Sequence, residues 1–183
     1  MGFRFFLFFS YMIFMCLFLN FPSKTEAKTP FSTHQNKLLL EVCKQSEQFK
    51  FCMQLLQSKP RISTAKNITT VANYALALTR KKSVITRNFF NRLDGAKKNV
   101  VFEECANYFN ETIGMLNLDG LEGGTASLDV HYALDNCEYC ENVLDSAKIR
   151  SKSISAQINQ WKKYYYVAYA TVIVLEDETP TGP

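Results

Sequence analysis

The longest hydrophobic pattern in the chain lies near its C-terminus, where apolar side chains recur every three or four residues. From about Ser153 to Glu176 the repeating positions are Ile154, Ile158, Trp161, Tyr165, Ala168, Val172 and Leu175. A stripe with this period is typical of an amphipathic helix that buries one face. The β-branched run Thr171–Val174 is also compatible with a strand, but the period of the residues before it favours a helix.

Three earlier segments with the same period predict three more helices, at about Thr64–Leu93, Val100–Leu116 and Ala126–Ser146. The expected buried stripe of the first consists of Ile68, Val71, Ala75, Leu78, Ile85 and Phe89. Ser63 or Thr64 is expected to cap its start, and residues 94–98 and 118–125 are expected to form a turn and a glycine-rich loop. No proline lies between residues 61 and 179, which also favours helices.

Before these helices, Leu38–Leu56 has two short apolar arms around a polar centre, and each arm carries one cysteine. Cys43 and Cys52 would lie on different turns of one straight helix, too far apart to bond. A chain reversal near residues 45–48 would bring them together. The sequence therefore predicts an all-α protein: an antiparallel four-helix bundle with an N-terminal disulfide-bridged helical hairpin docked on one end of it.

The N-terminal residues are predicted to be a secretion signal. Arg4 precedes an apolar run, Phe5–Leu19, and a polar stretch leads to the small residue Ala27, after which we expect cleavage. The apolar run is shorter than the roughly 20 residues of a membrane span. The expected divisions are residues 1–27 for the signal peptide, 28–60 for the hairpin, 61–177 for the bundle and 178–183 for a disordered tail.

Composition refines this picture. The formal net charge is +4 with no block of basic residues, which argues against nucleic acid and is compatible with weak attraction to an acidic polysaccharide. Two Asn-x-Thr sequences, at Asn67 and Asn110, are predicted N-glycosylation sites. After signal cleavage five of the six cysteines remain, so two disulfides and one free thiol are expected in an oxidising compartment.

The second disulfide has two candidate pairings. Cys105 needs a partner on the third long helix, where Cys137 and Cys140 lie three residues apart on one face and either is within reach. The same two cysteines are also compatible with a thioredoxin-type redox site or half of a zinc site. Their mid-helix position argues against the first. The second lacks ligands, because the only histidines are His34 and His131.

The sequence contains no recognised catalytic motif. His131 is interpreted as structural, and the carboxylates Glu103, Glu104, Asp129 and Asp135 as solvated helix faces. Trp161 and Tyr164–Tyr166 are compatible with a sugar-stacking platform, but the heptad pattern favours the core for Trp161 and Tyr165. We therefore expect no enzyme activity, no cofactor and no metal.

Taken together, the cysteine spacing and the proline-poor bundle resemble the plant invertase/pectin methylesterase inhibitor family, over residues 36–177. Two phrases near the first cysteine pair are similar to the family's first bridge: Leu40-x-x-Cys43 and Phe51-Cys52-x-x-x-Leu56. A third is similar to its "Ala-Leu … Cys-Glu-x-x-Phe" helix: Ala133-Leu-Asp-Asn-Cys-Glu-Tyr-Cys140-Glu-Asn-Val-Leu144.

This resemblance implies a second bridge between Cys105 and Cys140 and leaves Cys137 as the free thiol. The sequence departs from the family pattern at two places. Leu144 stands where an aromatic residue is usual, and the Pro-Lys-Phe segment of the invertase-directed branch is missing. The corresponding loop is residues 118–124, LDGLEGG. The absence of the Pro-Lys-Phe segment disfavours an invertase target but does not by itself select pectin methylesterase.

The function implied by the resemblance is inhibition by binding. The protein would be secreted to the apoplast or cell wall and would cover, one to one, the acidic active-site cleft of a pectin methylesterase. The alternatives are an inhibitor of cell-wall or vacuolar acid invertase, and a secreted helical binding protein that has lost inhibitory activity. No nucleic acid and, after signal cleavage, no membrane is expected as a partner. The sequence does not identify the partner-binding residues, and the hairpin is interpreted as a packing element.

Overall fold

The computed structural model of the protein describes residues 35–179, without the side chains of Gln35, Asn36 and Lys97. This range contains seven α-helices and no strand, which confirms the all-α prediction. The helices are α1 Gln35–Gln45, α2 Phe49–Gln57, α3 Pro60–Ser63, α4 Ile68–Lys97, α5 Val100–Met115, α6 Ala126–Ser146 and α7 Lys152–Glu178, with a 3-10 turn at Leu121–Gly123. The predicted signal peptide and residues 180–183 of the predicted tail lie outside the described residues.

Helices α4 to α7 form the predicted four-helix bundle. Helix α4 packs against α5 and α7, and α6 packs against the same two helices. Aromatic rings fill the centre of the bundle. The centroid of the Phe109 ring lies 5.8 Å from that of Phe90 and 5.4 Å from that of Trp161. Trp161 in turn stacks on Tyr165, with a centroid distance of 5.5 Å. Trp161 and Tyr165 are fully buried, so the prediction that they belong to the core is confirmed.

Helices α1 and α2 form the predicted hairpin. The chain reverses between Gln45 and Phe49, and the Cα atoms of Cys43 and Cys52 lie 5.5 Å apart across the disulfide. The hairpin packs against α7, where the edge of the Phe51 ring contacts Tyr164 at 5.1 Å. Because Tyr164 lies near the middle of α7, the expectation that the hairpin docks on one end of the bundle is wrong.

The predicted bounds of α4 are wrong at its start. Ser63 and Thr64 do not cap it, because their hydroxyls bond back to the Pro60 carbonyl inside the short helix α3. Asn67 is the cap instead, and its side-chain oxygen accepts the Thr70 N–H at 2.9 Å. Because the short helix α3 comes first, the long helix α4 starts at Ile68, four residues later than the apolar pattern predicts.

The end of α4 is also displaced from its predicted position. Asp94–Lys97 is the last helical turn and not a loop, because a single glycine is tolerated at a helix end. The reversal is made by Lys98, which adopts a left-handed conformation with φ of 47°. Asn99 then caps α5 by accepting the Val101 N–H at 3.0 Å.

The largest correction concerns which face of α4 is buried. In its second half the buried positions are Thr79, Ser83, Thr86 and Phe90, whereas the predicted Ile85 is 40% exposed. The hydroxyl groups tolerate burial because each makes hydrogen bonds. Two of those bonds come from α7: Trp161 Nε1 donates to Ser83 Oγ and Gln157 Nε2 donates to Thr86 Oγ1, both at 2.8 Å.

Candidate functional site

Two disulfides hold helices together, one in the hairpin and one in the bundle. The first closes the hairpin, and the second joins Cys105 of α5 to Cys140 of α6, with their Cα atoms 4.7 Å apart. Spacing alone had left the partner of Cys105 open, and the structure selects Cys140. Helices α5 and α6 are therefore held together covalently near the start of α5.

Cys137 carries a buried free thiol. Burial is the main cause that raises the pKa of this thiol far above its ordinary value, and nearby Lys162 only partly offsets it. A protonated, enclosed thiol is a poor nucleophile and a poor metal ligand. Within residues 35–179 no group of three or more His, Cys, Asp or Glu side chains is placed to hold a metal ion.

Lys162 pairs with Glu141 across α6 and α7, with Nζ 2.5 Å from Oε2. Burial disfavours the charged ammonium, but the hydrogen bond to Glu141 and the nearby charges outweigh this and raise the pKa of Lys162. The pair therefore acts as a structural link between the two helices. It leaves Lys162 without the lowered pKa that a catalytic base would need.

His131 is the one histidine within the described range, and it is not part of a catalytic group. Its Nδ1 lies 3.5 Å from the Tyr165 hydroxyl and its Nε2 lies 3.9 Å from Asp135 on the next turn. None of these contacts is to a serine or cysteine nucleophile. Glu103 and Glu104 are exposed on a different helix, so the structure does not bring the candidate carboxylates together.

What the described surface does offer is a band of side chains along the groove between α5 and α6. We name it the α5–α6 seam. Its members are Tyr108, Glu111 and Met115 of α5 and Leu128, Tyr132, Asn136 and Tyr139 of α6. Tyr108 and Tyr139 contact each other with ring centroids 5.8 Å apart. One level along, Asn136 Nδ2 donates to Glu111 Oε2 at 3.2 Å and lies 3.5 Å from Met115 Sδ.

The seam is unusually apolar for an exposed helix face. Leu128, Tyr132 and Tyr139 are 48%, 46% and 51% exposed, and their spacing of four and seven residues places them on one side of α6. The other large exposed hydrophobic side chains of the described range lie singly on other helices: Leu40, Phe49, Ile85 and Val100. Exposed tyrosines grouped in this way are typical of protein interfaces.

Comparison with known proteins identifies the family of this chain and supports its fold. Residues 37–174 match the family model described as plant invertase/pectin methylesterase inhibitor. The chain belongs to this family. The match runs from α1 into the last turns of α7 and so includes both the hairpin and the bundle. No protein of curated function matches the chain.

Two solved structures of pectin methylesterase inhibitors have the same fold as this family member. One is a mutant form of an Arabidopsis inhibitor, 17% identical, with a TM-score of 0.61 over 77% of this chain and 96% of that one. The other, from Arabidopsis thaliana, is also 17% identical, with a TM-score of 0.52 over 80% of this chain and 98% of that one. At this identity the likeness shows the fold alone.

The structure accommodates both departures from the family pattern, Leu144 and the loop at residues 118–124. Leu144 is buried and occupies a core position on α6. In the loop at residues 118–124, Gly120 and Gly124 adopt φ of 81° and 67°, which favour glycine. The Thr125 N–H donates to the Gly120 carbonyl at 3.1 Å and closes this loop.

Both predicted glycosylation sites lie on the surface, away from the seam. Asn67 is exposed at the start of α4. Asn110 is exposed on α5, where its side-chain oxygen accepts a hydrogen bond from Arg87 of α4 at 2.9 Å. Asn110 therefore faces α4 and not α6. Residues 35–179 contain no helix that is both long and apolar enough to cross a membrane.

No partner-binding residue is predicted from the sequence, because hydrophobic periodicity does not detect a surface such as the seam. A periodicity argument finds the buried face of a helix and treats the opposite face as solvated. Tyr132 and Tyr139 fall outside the buried stripe of α6. The sequence signal for the seam is that these two large aromatic residues occupy positions predicted to be exposed.

Proposed function

We propose that this protein is a secreted inhibitor of pectin methylesterase that acts by binding its target one to one and without covalent chemistry. The observation that carries the proposal is the family match over residues 37–174, which includes the hairpin and all four bundle helices. The family match is also what favours an inhibitor over an enzyme. Secretion to the plant cell wall is part of the proposal and follows from the family and the predicted signal peptide.

Pectin methylesterase is favoured over acid invertase by the loop at residues 118–124. This loop closes through two glycines with positive φ and carries no Pro-Lys-Phe segment. The family resemblance associates that segment with the invertase-directed branch. The loop is too short and too polar to replace it with another apolar tip, since Leu118 and Leu121 pack against the core.

We propose the α5–α6 seam as the docking surface. Tyr108, Tyr132 and Tyr139 present ring area with few rotatable bonds, so they lose little entropy on binding. The Cys105–Cys140 disulfide and the Asn136–Glu111 hydrogen bond fix the two helices before the target arrives. Such preorganisation lowers the free-energy cost of association. A surface of this kind, laid across the cleft of an enzyme, would block entry of a polymeric substrate.

The test is to mix the purified mature protein with pectin methylesterases and follow acid release from pectin, with sucrose hydrolysis by acid invertase measured in parallel. We expect inhibition of the esterase and none of the invertase. Inhibition of the invertase alone would reverse the choice of target. Unchanged rates for both enzymes, over several plant isoforms and pH values, would leave a helical binding protein without inhibitory activity as the better interpretation.

The docking surface is tested with Tyr139→Ala and Tyr132→Ala in the same assay. Removing a central aromatic contact is expected to weaken inhibition by roughly 10- to 100-fold. Phe49→Ala is the matched control, because Phe49 is a similarly exposed aromatic residue on the hairpin. If Phe49→Ala weakened inhibition and the two tyrosine variants did not, the hairpin would be the contact surface instead.

A further inference from the structure

Two shallow cavities flank the first turns of α7, and neither is lined by a residue of the seam. The larger, about 640 Å³, lies between α6 and α7 and has the carboxylates Glu138, Glu141 and Asp145 on its α6 wall. The second, about 500 Å³, adjoins the first and shares Arg150, Ser151, Ser155 and Asn159 with it, but has no carboxylate in its own lining. Its residues are Arg150, Ser151, Lys152, Ser155, Ala156 and Asn159, and we name this cavity the α7 groove.

The α7 groove is lined by two cationic side chains, Arg150 and Lys152, and Lys148 precedes them in the chain. Lys148, Arg150 and Lys152 lie within five residues of one another, and all three are exposed. The ion pairs of the described residues are His131 with Asp135 and Lys162 with Glu141, so neither includes these three cations. Positive charge is therefore concentrated at a concave surface and is not held in ion pairs, while Arg150 also lines the neighbouring cavity that contains Glu138, Glu141 and Asp145.

The backbone holds this cationic turn in one conformation. At the end of α6 the Ile149 N–H donates to the Leu144 carbonyl at 2.9 Å, and the Lys148 N–H donates to the Asp145 carbonyl at 2.9 Å. This pair of bonds closes the helix end with Lys148 in the left-handed conformation, φ 56°. Arg150 and Lys152 are thus presented from a fixed turn and not from a loose loop.

We propose that the α7 groove binds an acidic polysaccharide, specifically a run of uronate sugars with free carboxylates. Arg150 and Lys152 would pair with carboxylates, and Ser155 and Asn159 offer hydrogen bonds to sugar hydroxyls. The choice of polysaccharide rests on the proposed function, because an inhibitor of pectin methylesterase would work beside pectin whose esters have been converted to carboxylates.

The lining of the groove favours a sugar chain over a membrane or an acidic protein. None of the large exposed hydrophobic side chains of the described range belongs to it. A membrane-binding surface needs apolar side chains to insert, and protein interfaces are enriched in aromatic anchors. The acidic wall of the neighbouring cavity sets a direction, since a polyanion would lie along the α7 groove and avoid the α6 side.

The experiment measures binding of the purified mature protein to galacturonate oligomers of one defined length, either free of esters or fully methylesterified, by isothermal titration calorimetry. The test variant is Lys148→Gln/Arg150→Gln/Lys152→Gln. The matched control is Lys59→Gln/Arg61→Gln/Lys66→Gln, which removes two lysines and one arginine that are equally exposed near α3. Circular dichroism verifies that both variants are folded.

We expect the wild type to bind the ester-free oligomer, with an affinity that falls as salt is added, and to bind the esterified oligomer much more weakly. The test variant should lose about tenfold in affinity, and the control variant less than about twofold. Equal losses in the two variants would show that net charge alone is responsible, and absence of binding by the wild type would reject the groove. Equal affinity for the ester-free and the esterified oligomer would overturn the assignment to free uronate carboxylates.

An inhibition assay on the same proteins separates this inference from the proposed function. A test variant that still inhibits pectin methylesterase but no longer binds the oligomer would place the two activities on different surfaces, as we infer. A wild-type protein that binds the oligomer but inhibits no esterase would reject the proposed function and leave the groove in place.

Discussion

Two neighbouring pairs of helices in the bundle are held together by opposite means. Between α4 and α7, buried polar groups align the helices: Trp161 donates to Ser83, Gln157 donates to Thr86, and the Thr79 hydroxyl donates to the Tyr164 carbonyl at 3.1 Å. Between α5 and α6, a disulfide does this work. The covalent link leaves the outer part of the α5–α6 pair free to expose apolar and polar side chains.

This difference explains where a binding surface is tolerated. The hydroxyls of Thr79, Ser83 and Thr86 each have a partner on α7, and the loss of such a partner is costly because it leaves a buried polar group unpaired. The buried Tyr74 hydroxyl of α4 is the exception within the described residues, since it has no hydrogen-bond partner. The α5–α6 pair depends less on matched donors and acceptors in its interior, because the disulfide joins its two helices. It can therefore present tyrosines to a partner at little cost to its own stability. The comparison yields predictions about both pairs, and the first concerns the disulfide.

Removing the Cys105–Cys140 disulfide should have the largest effect on stability. The variant Cys105→Ser/Cys140→Ser is expected to lose about 3 to 4 kcal/mol of unfolding free energy, because the bridge closes a loop with a sequence separation of 35 residues. Urea unfolding measures this. The control is Cys137→Ala, which removes a buried sulfur but no bridge and should cost only about 1 kcal/mol. Equal losses would mean that the bridge does not hold the α5–α6 pair.

On the other pair, Ser83→Ala should cost about 1 to 3 kcal/mol, because it leaves the buried Trp161 N–H without an acceptor. Trp161 is the single tryptophan of the chain, so its fluorescence reports the same change directly. Ser63→Ala is the matched control. The Ser63 hydroxyl donates to the Pro60 carbonyl, three residues earlier, but it accepts no hydrogen bond from an indole N–H. Its loss should change stability by less than about 0.5 kcal/mol.

The helices also differ in how far the sequence predicts them. The stripe of α7 is predicted residue by residue, because every position in it is apolar and buried. The second half of α4 was predicted in the wrong phase. There the buried residues are Phe90 and three hydroxyl residues, Thr79, Ser83 and Thr86, and a pattern of hydrophobic positions counts those three as polar. Their partners lie about 70 to 85 residues away, as for Gln157 with Thr86 and Thr79 with Tyr164, and local periodicity contains no such information.

The seam lies beyond sequence prediction for the converse reason. Tyr132 and Tyr139 are apolar surface at positions where a helix in a bundle is expected to be polar. Tyr139 contacts Tyr108 at the surface, but neither Tyr132 nor Tyr139 fills the core, so a search for buried stripes does not select them. The family resemblance supplied the pairing of Cys105 with Cys140, which spacing alone had left open.

Alkaline pH should weaken the bundle through groups buried beside α7. The pKa of the Cys137 thiol is raised above its ordinary value of 9.0 by burial, and that of the Tyr165 hydroxyl is raised above 10.0, also mainly by burial. In the folded state both groups keep their protons at a pH where the unfolded chain has lost them. Their contribution to stability is therefore complete below pH 9 and declines as the pH rises above it.

The Cys137 part of this decline is measurable by comparing urea unfolding of the wild type and Cys137→Ala between pH 8 and 10. Between the ordinary and the raised pKa, one ionising thiol contributes a slope of at most about 1.4 kcal/mol per pH unit. The variant should therefore show a shallower decline. Cys137→Ser, which keeps a side chain of similar size that does not titrate, should behave like Cys137→Ala. A slope that is the same in all three proteins would mean that the thiol is exposed in solution.

The smallest effects are expected from the predicted glycans. A sugar chain on Asn67 or Asn110 would stand on the α4 side of the molecule, since Asn67 caps α4 and Asn110 is bonded to Arg87. The seam is on the other side of α5. Enzymatic removal of the glycans should therefore change inhibition of pectin methylesterase by less than about twofold, equivalent to a few tenths of a kcal/mol.

Site-specific variants sharpen this last prediction, and the choice of substitution follows from burial. Thr69 is exposed, so Thr69→Ala removes the first sequon without disturbing the Asn67 cap, and Thr69→Ser, which keeps the sequon, is its control. Thr112 is fully buried, so the second sequon is better removed by Asn110→Gln, which leaves the core intact. Mass spectrometry reports which sites carry sugar. A loss of glycan at Asn110 that markedly strengthened inhibition would place the docking surface on the α4 side, and the α5–α6 pair would then lose its assigned role.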